Sequence, residues 1–174
     1  DCSPDDSWQQ ILALSKSDHR IKGINFSRNF GQHYAITAGL DYANGDWVVV
    51  MDCDLQESPE DIILLYNEAI KGYDVVLGKR ALRKDGFFKK MWSYLFNKLF
   101  NFLSEIKRDP QVAFFVIFTK NVCDSLRSMR EQSRFMPSLL DWSGYSKSYI
   151  NVSHHSNKRK VTYKHSVARN WVLR

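Results

Sequence analysis

A chain of 174 residues, of which 44% are hydrophobic and 14% aromatic, can bury one sizeable core and falls in the size range of a single domain. Its 25 lysines and arginines against 19 aspartates and glutamates give a net charge of +6, which favours anionic partners such as phosphates, acidic lipid headgroups or nucleic acid. The three cysteines, Cys2, Cys53 and Cys123, lack a C-x-x-C spacing, so neither a disulfide framework nor a zinc site is indicated. No apolar run approaches the roughly 18 residues of a membrane span.

Residues 1–7 form a polar, turn-rich segment, and the apolar residues that follow it, Ile11, Leu12 and Leu14, have helical spacing. This order is typical of a loop that joins a strand to a helix, yet no strand precedes it. We therefore expect one domain, residues 1–174, that lacks its first strand and is truncated at its N-terminus. Made alone, such a piece should be poorly soluble, because an uncovered apolar strand edge favours self-association.

Strands and helices are predicted to alternate along the first half of the chain. The helix expected at 32–43 ends at Asn44-Gly45, and the next helix has a proline near its start, at Ser58-Pro59. Strand–helix alternation implies right-handed crossovers, so we predict an α/β fold with a mostly parallel sheet flanked by helices. The predicted strands are 21–26, 47–51, 73–78, 112–118 and 145–152, with a long aromatic-rich helix at 87–104 and two helical stretches before Asp141.

Two carboxylates, Asp52 and Asp54, directly follow the continuously apolar strand at 47–51. Side chains alternate along an extended chain, so both should face the same way while Cys53 points into the sheet. Open α/β sheets bind ligands at this edge, where two carboxylates suit a hard cation, Mg²⁺ or Mn²⁺, that bridges a diphosphate. A solvated turn would be the commoner origin of an isolated Asp-x-Asp. A dehalogenase-type phosphatase also uses this pattern, but Gln56 and the two preceding strand–helix units argue against it.

Five short motifs, one of which contains the carboxylate pair, occur in a fixed order and span almost the whole chain. They are Asp1-Cys2-Ser3-Pro4-Asp5, Arg28-Asn29-Phe30-Gly31, Asp52-Cys53-Asp54-Leu55-Gln56, Gly78-Lys79-Arg80, and Glu131 with Arg134-Phe135 followed by Trp142 and Gly144. In this order and spacing the chain resembles the inverting glycosyltransferases of family 2. The branch it resembles is that of the dolichyl- or polyprenyl-phosphate sugar synthases, of the type that serves the bacterial cell envelope.

The resemblance implies a GT-A-like fold and three groups of site residues. The metal ligands would be Asp52, Asp54 and Gln56. The nucleotide sugar would be bound by Asp1, Asp5, Arg28, Asn29, Gly31 and Asp52. Phosphate or acceptor contacts would come from Arg80, Arg83, Arg134, Trp142 and Arg159, although a solvated basic loop would explain Arg80 and Arg83 nearly as well without the resemblance.

The implied reaction transfers a sugar, with inversion, from a UDP- or GDP-sugar to a polyprenyl-phosphate or glycan acceptor. Asp52 and Asp54 would act through Mg²⁺ or Mn²⁺. A lipid phosphate is already ionised and needs no protein base, whereas a sugar hydroxyl would need one, for which Asp109 is the candidate. The resemblance also implies a cytoplasmic protein at the inner face of the cell membrane, with membrane helices beyond Arg174.

Two other functions remain as alternatives. The first is a catalytically inactive binding module with the GT-A fold, because relatives carry Asp and Arg at the places held here by Ala113 and Phe115. The second is a basic nucleic-acid-binding domain, which would bind single strands with a steep salt dependence. We predict no nucleic-acid partner, because Asp52 and Asp54 would repel a phosphate backbone unless a metal were present.

Overall fold

A computed structural model of the chain describes residues 2–54, 56–80, 112–129 and 135–153. These ranges contain five helices and four strands, so the predicted α/β class is confirmed. The predicted helix at 87–104 lies outside the described residues. In chain order the elements are α1 Ser7–Ser17, α2 Gln32–Tyr42, β1 Trp47–Val50, α3 Asp61–Ala69, β2 Val75–Arg80, β3 Val112–Thr119, α4 Lys120–Ser128, α5 Met136–Trp142 and β4 Lys147–Val152.

The four strands form one mixed sheet in the order β1-β3-β2-β4. Strand β3 is antiparallel to both β1 and β2, whereas β4 is parallel to β2. Three of the four strands therefore run in the same direction, but β3 lies between two of them in the opposite direction, so two of the three neighbouring pairs are antiparallel and the sheet is mixed. The continuous apolar run in β3 could not reveal this, because a buried central strand has the same composition in either direction.

The strand predicted at 21–26 is wrong, because this segment has no regular secondary structure. It lies against α1: a Cβ atom added to Gly23 would be 2.6 Å from Ile11 Cγ2 and 2.9 Å from Trp8 Cζ3. Ile21 and Ile24 are both exposed. A strand needs hydrogen-bonded neighbours as well as β-branched residues, and among the described residues none pairs with this segment.

Helices cover both faces of the sheet, as the alternation of side chains along its strands requires. On one face α2, α4 and α5 pack against side chains that include Val48, Val75 and Phe118. On the other face α3 packs Leu65 and Ala69 against Val76, Phe115, Ile117 and Val152. Phe115, at which relatives were expected to carry a polar residue, is 0% exposed and is therefore a core residue.

Helix α2 is held at its C-terminal end by a side chain from α4. The Arg127 guanidinium donates through Nε to the Leu40 carbonyl oxygen at 2.8 Å and through a terminal nitrogen to the carbonyl oxygens of Leu40 and Ala43. The last carbonyl groups of a helix lack partners within the helix, so a cationic donor there satisfies them and complements the helix dipole. This contact fixes α2 relative to the sheet.

Candidate functional site

The predicted metal ligands occur in the segment that follows β1. Asp52, Asp54 and Gln56 are all partly buried, and the Asp54 Oδ1 atom accepts a hydrogen bond from the Gln56 backbone N–H at 3.0 Å. Cys53, which was expected to point into the sheet, is instead exposed. The reason is that β1 ends at Val50 and the chain bends at Cys53 and Asp54, so the alternation of a strand no longer applies.

Asp52 is contacted by two residues that the sequence did not single out. The Gln32 side-chain amide, at the start of α2, donates to Asp52 Oδ1 at 2.8 Å. The Asp52 backbone N–H points to Glu57 Oε2 at 3.4 Å, and Glu57 is only 2% exposed. Each of the two residues directly follows a motif, Gln32 after Gly31 and Glu57 after Gln56, and that adjacency was the signal available in the sequence.

The turn before α2 determines where Gln32 points. Gly31 adopts φ +99°, a conformation that side-chain-bearing residues rarely adopt, and α2 begins at the next residue. Arg28 and Asn29 are exposed in this turn, with the Arg28 guanidinium 4.5 Å from the centre of the Phe30 ring. Their predicted contacts with a nucleotide sugar stay predictions, but the turn leads directly into the helix that contacts Asp52.

Helix α2 also approaches the start of α5 at this edge of the sheet. The His33 ring lies edge-on to the Phe135 ring, with centroids 5.4 Å apart. Phe135 precedes the first residue of α5, so the Arg-Phe motif identified in the sequence ends close to the first turn of α2. Arg134 itself lies outside the described residues.

Arg80 ends β2, whose carboxyl end lies at the same edge as Asp52 because β1 and β2 run in the same direction. Only the backbone of Arg80 is described. Asp5 accepts a hydrogen bond from the Ser7 backbone N–H at 3.1 Å, at the start of α1. The remaining candidates fall outside the described residues: Asp1, Arg83, Asp109 and Arg159.

Trp142 is not placed beside the carboxylates. It is 76% exposed at the C-terminal end of α5, and its neighbour Asp141 forms an ion pair of 2.7 Å with Lys147 Nζ at the start of β4. Because β4 runs parallel to β2, this is the edge of the sheet where β1 and β2 begin. The side chain therefore lies near the edge opposite to Asp52.

The donor atoms at the carboxylate edge fit a hard divalent cation. Two carboxylates and one amide oxygen occur within five residues, Asp52 to Gln56. In the described ranges no three His, Cys, Asp or Glu side chains are grouped closely enough to hold a metal ion by themselves. Mg²⁺ is usually held by one or two carboxylates together with substrate phosphates, so this donor set suits a cation that is shared with a diphosphate.

No helix in the described part of the chain has the length and apolar character needed to cross a bilayer.

The two cysteines outside the N-terminal segment differ in environment. Cys53 is exposed between the carboxylates, whereas burial raises the pKa of the Cys123 thiol in the core.

The mixed α/β sheet places the carboxylates beyond the carboxyl end of β1, at the edge where open α/β sheets bind ligands. The chain belongs to Glycosyl transferase family 2, whose profile matches residues 1–130. It is 37% identical over 151 residues to the uncharacterized glycosyltransferase YkcC of Bacillus subtilis (strain 168), which covers 86% of this chain and 47% of that protein. It is also 37% identical over 145 residues to the prophage bactoprenol glucosyl transferase homolog of Escherichia coli (strain K12). That match covers 83% of this chain and 47% of the relative.

Two solved structures share the fold. The bifunctional IspDF of Campylobacter jejuni superposes with a TM-score of 0.52 at 12% identity, covering 88% of this chain and 38% of that one. A mycobacterial protein superposes with a TM-score of 0.51 at 18% identity, covering 91% of this chain and 55% of that one. The chain spans about half the length of the curated relatives it matches.

Proposed function

We propose that the protein is a glycosyltransferase that moves a sugar from a UDP- or GDP-sugar to a polyprenyl phosphate, with inversion at the anomeric carbon. The observation that carries this proposal is the pair Asp52 and Asp54 at the carboxyl edge of the sheet, with Asp52 contacted by Gln32 from α2. The family membership supports the transferase class. Relatives named as bactoprenol glucosyl transferases support a lipid-phosphate acceptor over a glycan.

Asp52, Asp54 and Gln56 would hold Mg²⁺ or Mn²⁺ beside the donor. When bound, this cation supplies positive charge that stabilises the departing nucleotide diphosphate. The residues of the carboxylate turn thus orient the donor, and the arginine that ends β2, Arg80, can add paired hydrogen bonds to phosphate oxygens.

The reaction would be a single displacement. An acceptor phosphate oxygen forms a bond to the anomeric carbon as the bond from that carbon to the diphosphate breaks, and the electron pair leaves with the diphosphate. The configuration inverts because attack and departure occur on opposite sides. The acceptor oxygen carries no proton, so no general base is required; Asp109 would be needed only for a hydroxyl acceptor.

The two alternatives are less well supported. Part of the case for an inactive binding module rested on Phe115, and its complete burial makes it a residue of the core. A nucleic-acid-binding function gives no role to the carboxylate turn. Both alternatives predict no sugar transfer, so the same assay separates them from the proposal.

The test uses the full-length gene product with a panel of UDP- and GDP-sugars. We expect one donor to raise the melting temperature only when Mn²⁺ is present, because a ligand at 100 times its Kd stabilises the folded state by about 2.7 kcal/mol. With that donor, labelled sugar should move into an organic-extractable polyprenyl phosphate. If no nucleotide sugar gives metal-dependent stabilisation or transfer, the proposal is wrong.

Chemical labelling of the cysteines gives a second test that needs no acceptor. In a Cys2→Ser background, a thiol reagent at neutral pH should modify Cys53 and spare Cys123, whose thiol is buried and whose pKa is raised by that burial. Mn²⁺ with the bound nucleotide at ~10 times its Kd should slow the labelling of Cys53 about 10-fold, since about a tenth of the protein stays unbound. Mass spectrometry of the labelled peptides reads out both results. Unchanged labelling with bound nucleotide would place the nucleotide elsewhere.

A further inference from the structure

The contact between Gln32 and Asp52 joins two elements that are far apart in the sequence. Gln32 is the first residue of α2, and Asp52 lies just after β1. The two residues are 20 positions apart in the sequence. The amide Nε2 atom donates to Asp52 Oδ1 at 2.8 Å, which is an ordinary hydrogen-bond length to a carboxylate. This bond restrains rotation of the Asp52 carboxylate about its side-chain torsions.

The helix that carries Gln32 begins directly after Gly31 and is anchored at its C-terminal end by α4. Gly31 sets the direction in which α2 begins, and Arg127 binds the carbonyl oxygens of Leu40 and Ala43 at its other end. Gln32 is therefore presented by a rigid element and not by a loop. Supporting contacts of this kind hold a functional side chain more closely when they come from a packed helix.

The backbone of Asp52 is restrained separately. Its N–H points to the carboxylate of Glu57, which is buried five residues further along the same turn. Glu57 therefore contacts the main chain of Asp52, whereas Gln32 contacts its side chain. Of these two contacts, the Gln32 hydrogen bond is the one made to the carboxylate itself.

We propose that Gln32 is a positioning residue that orients the Asp52 carboxylate for a divalent cation. The inference rests on the proposed function, because it concerns the cation that Asp52 would share with a nucleotide diphosphate. Residues that hydrogen-bond to a metal-binding side chain orient it, and their loss typically lowers metal affinity or activity by about 10–100-fold. A purely structural role would be small here, because the contact is exposed and an exposed hydrogen bond between side chains contributes little to folding.

The chain offers a matched control. Gln10 donates its side-chain amide to Asp6 Oδ2 at 2.9 Å, and this pair is also exposed. Gln10→Met removes the same kind of hydrogen bond from α1, whereas Gln32→Met removes it from α2. A second variant, Gln32→Asn, keeps the amide but is one methylene too short to reach Asp52, so it separates loss of the contact from loss of polarity.

The experiment measures Mn²⁺ binding to the full-length gene product by the electron paramagnetic resonance of free Mn²⁺, with saturating UDP in one series and GDP in the other. We expect Gln32→Met and Gln32→Asn each to weaken Mn²⁺ binding about 10-fold, at the low end of the usual range for such partners. Nucleotide affinity in EDTA and the melting temperature should not change. Gln10→Met should match the parent protein in all three measurements.

Three results would overturn the inference. Unchanged Mn²⁺ affinity in both Gln32 variants would show that Asp52 needs no orienting partner. A parallel loss of melting temperature and of nucleotide affinity in EDTA would show that Gln32 serves the fold alone. If the parent protein does not bind Mn²⁺ in the presence of UDP or of GDP, the proposed function fails, and the role of Gln32 fails with it.

Discussion

Asp54→Asn is expected to lower metal-dependent donor binding by about 100-fold or more, beyond the roughly 10–100-fold that is typical for residues that only support a metal ligand. The substitution replaces a charged oxygen donor by a neutral amide, which hard cations such as Mg²⁺ and Mn²⁺ bind less well. The fold should be unaffected. The reason is that the asparagine side-chain oxygen can still accept the hydrogen bond that Gln56 N–H donates to Asp54 Oδ1.

The measurement is Mn²⁺-dependent stabilisation of the full-length gene product by its nucleotide donor, with donor turnover as a second readout. Asp141→Asn makes the same chemical change at the opposite edge of the sheet, where Asp141 pairs with Lys147. That variant should bind the donor as the parent does. A fully active Asp54→Asn protein at ordinary metal concentration would remove the carboxylate turn from the mechanism.

Phe115→Ala is expected to have the largest effect on stability, lowering the free energy of unfolding by about 3–5 kcal/mol. The Phe115 ring is completely buried between the sheet and α3, where it belongs to a cluster with Leu65, Val76 and Val152. Truncation to alanine removes its apolar contacts and leaves a cavity that rigid neighbours can fill only in part. The loss should be seen as a lower urea midpoint for unfolding.

The control for Phe115 is Ile63→Ala on α3, where the isoleucine is 63% exposed. Its effect should stay within about 0.5 kcal/mol, as is usual for a surface position. A loss of less than about 1 kcal/mol in Phe115→Ala would contradict the central position of β3. It would also reopen the question of whether Phe115 faces an acceptor.

The sequence by itself determined the local elements. The apolar run before Asp52 predicted a strand at 47–51, and the structure has Trp47–Val50. The helix predicted at 32–43 is Gln32–Tyr42, which ends close to the Asn44-Gly45 turn. These signals are local, because helical periodicity, apolar runs and turn residues act over a few residues. The position of the carboxylates after β1 followed from the same kind of signal.

The start of α3 was predicted less well. Ser58 as N-cap and Pro59 as the first helical residue were predicted, but the helix begins at Asp61. The Asp61 N–H is bonded to the Ser58 carbonyl oxygen at 3.0 Å, so residues 58–61 form a turn before the helix. Asp61 also accepts a hydrogen bond from Ser153 N–H at 2.7 Å, at the end of β4. A contact between residues 92 positions apart thus accompanies the first turn of α3.

Only the tertiary structure decided the features that depend on residues far apart in the chain. It placed β3 antiparallel between β1 and β2, left 21–26 outside the sheet, and put Trp142 near the edge opposite to Asp52. It also brought Gln32 to Asp52. Strand direction and side-chain contacts between elements are set by which surfaces bury each other most completely, and that choice is made by the whole domain. A local sequence pattern does not specify which distant element will pack against it, so it predicts the element but not its neighbour.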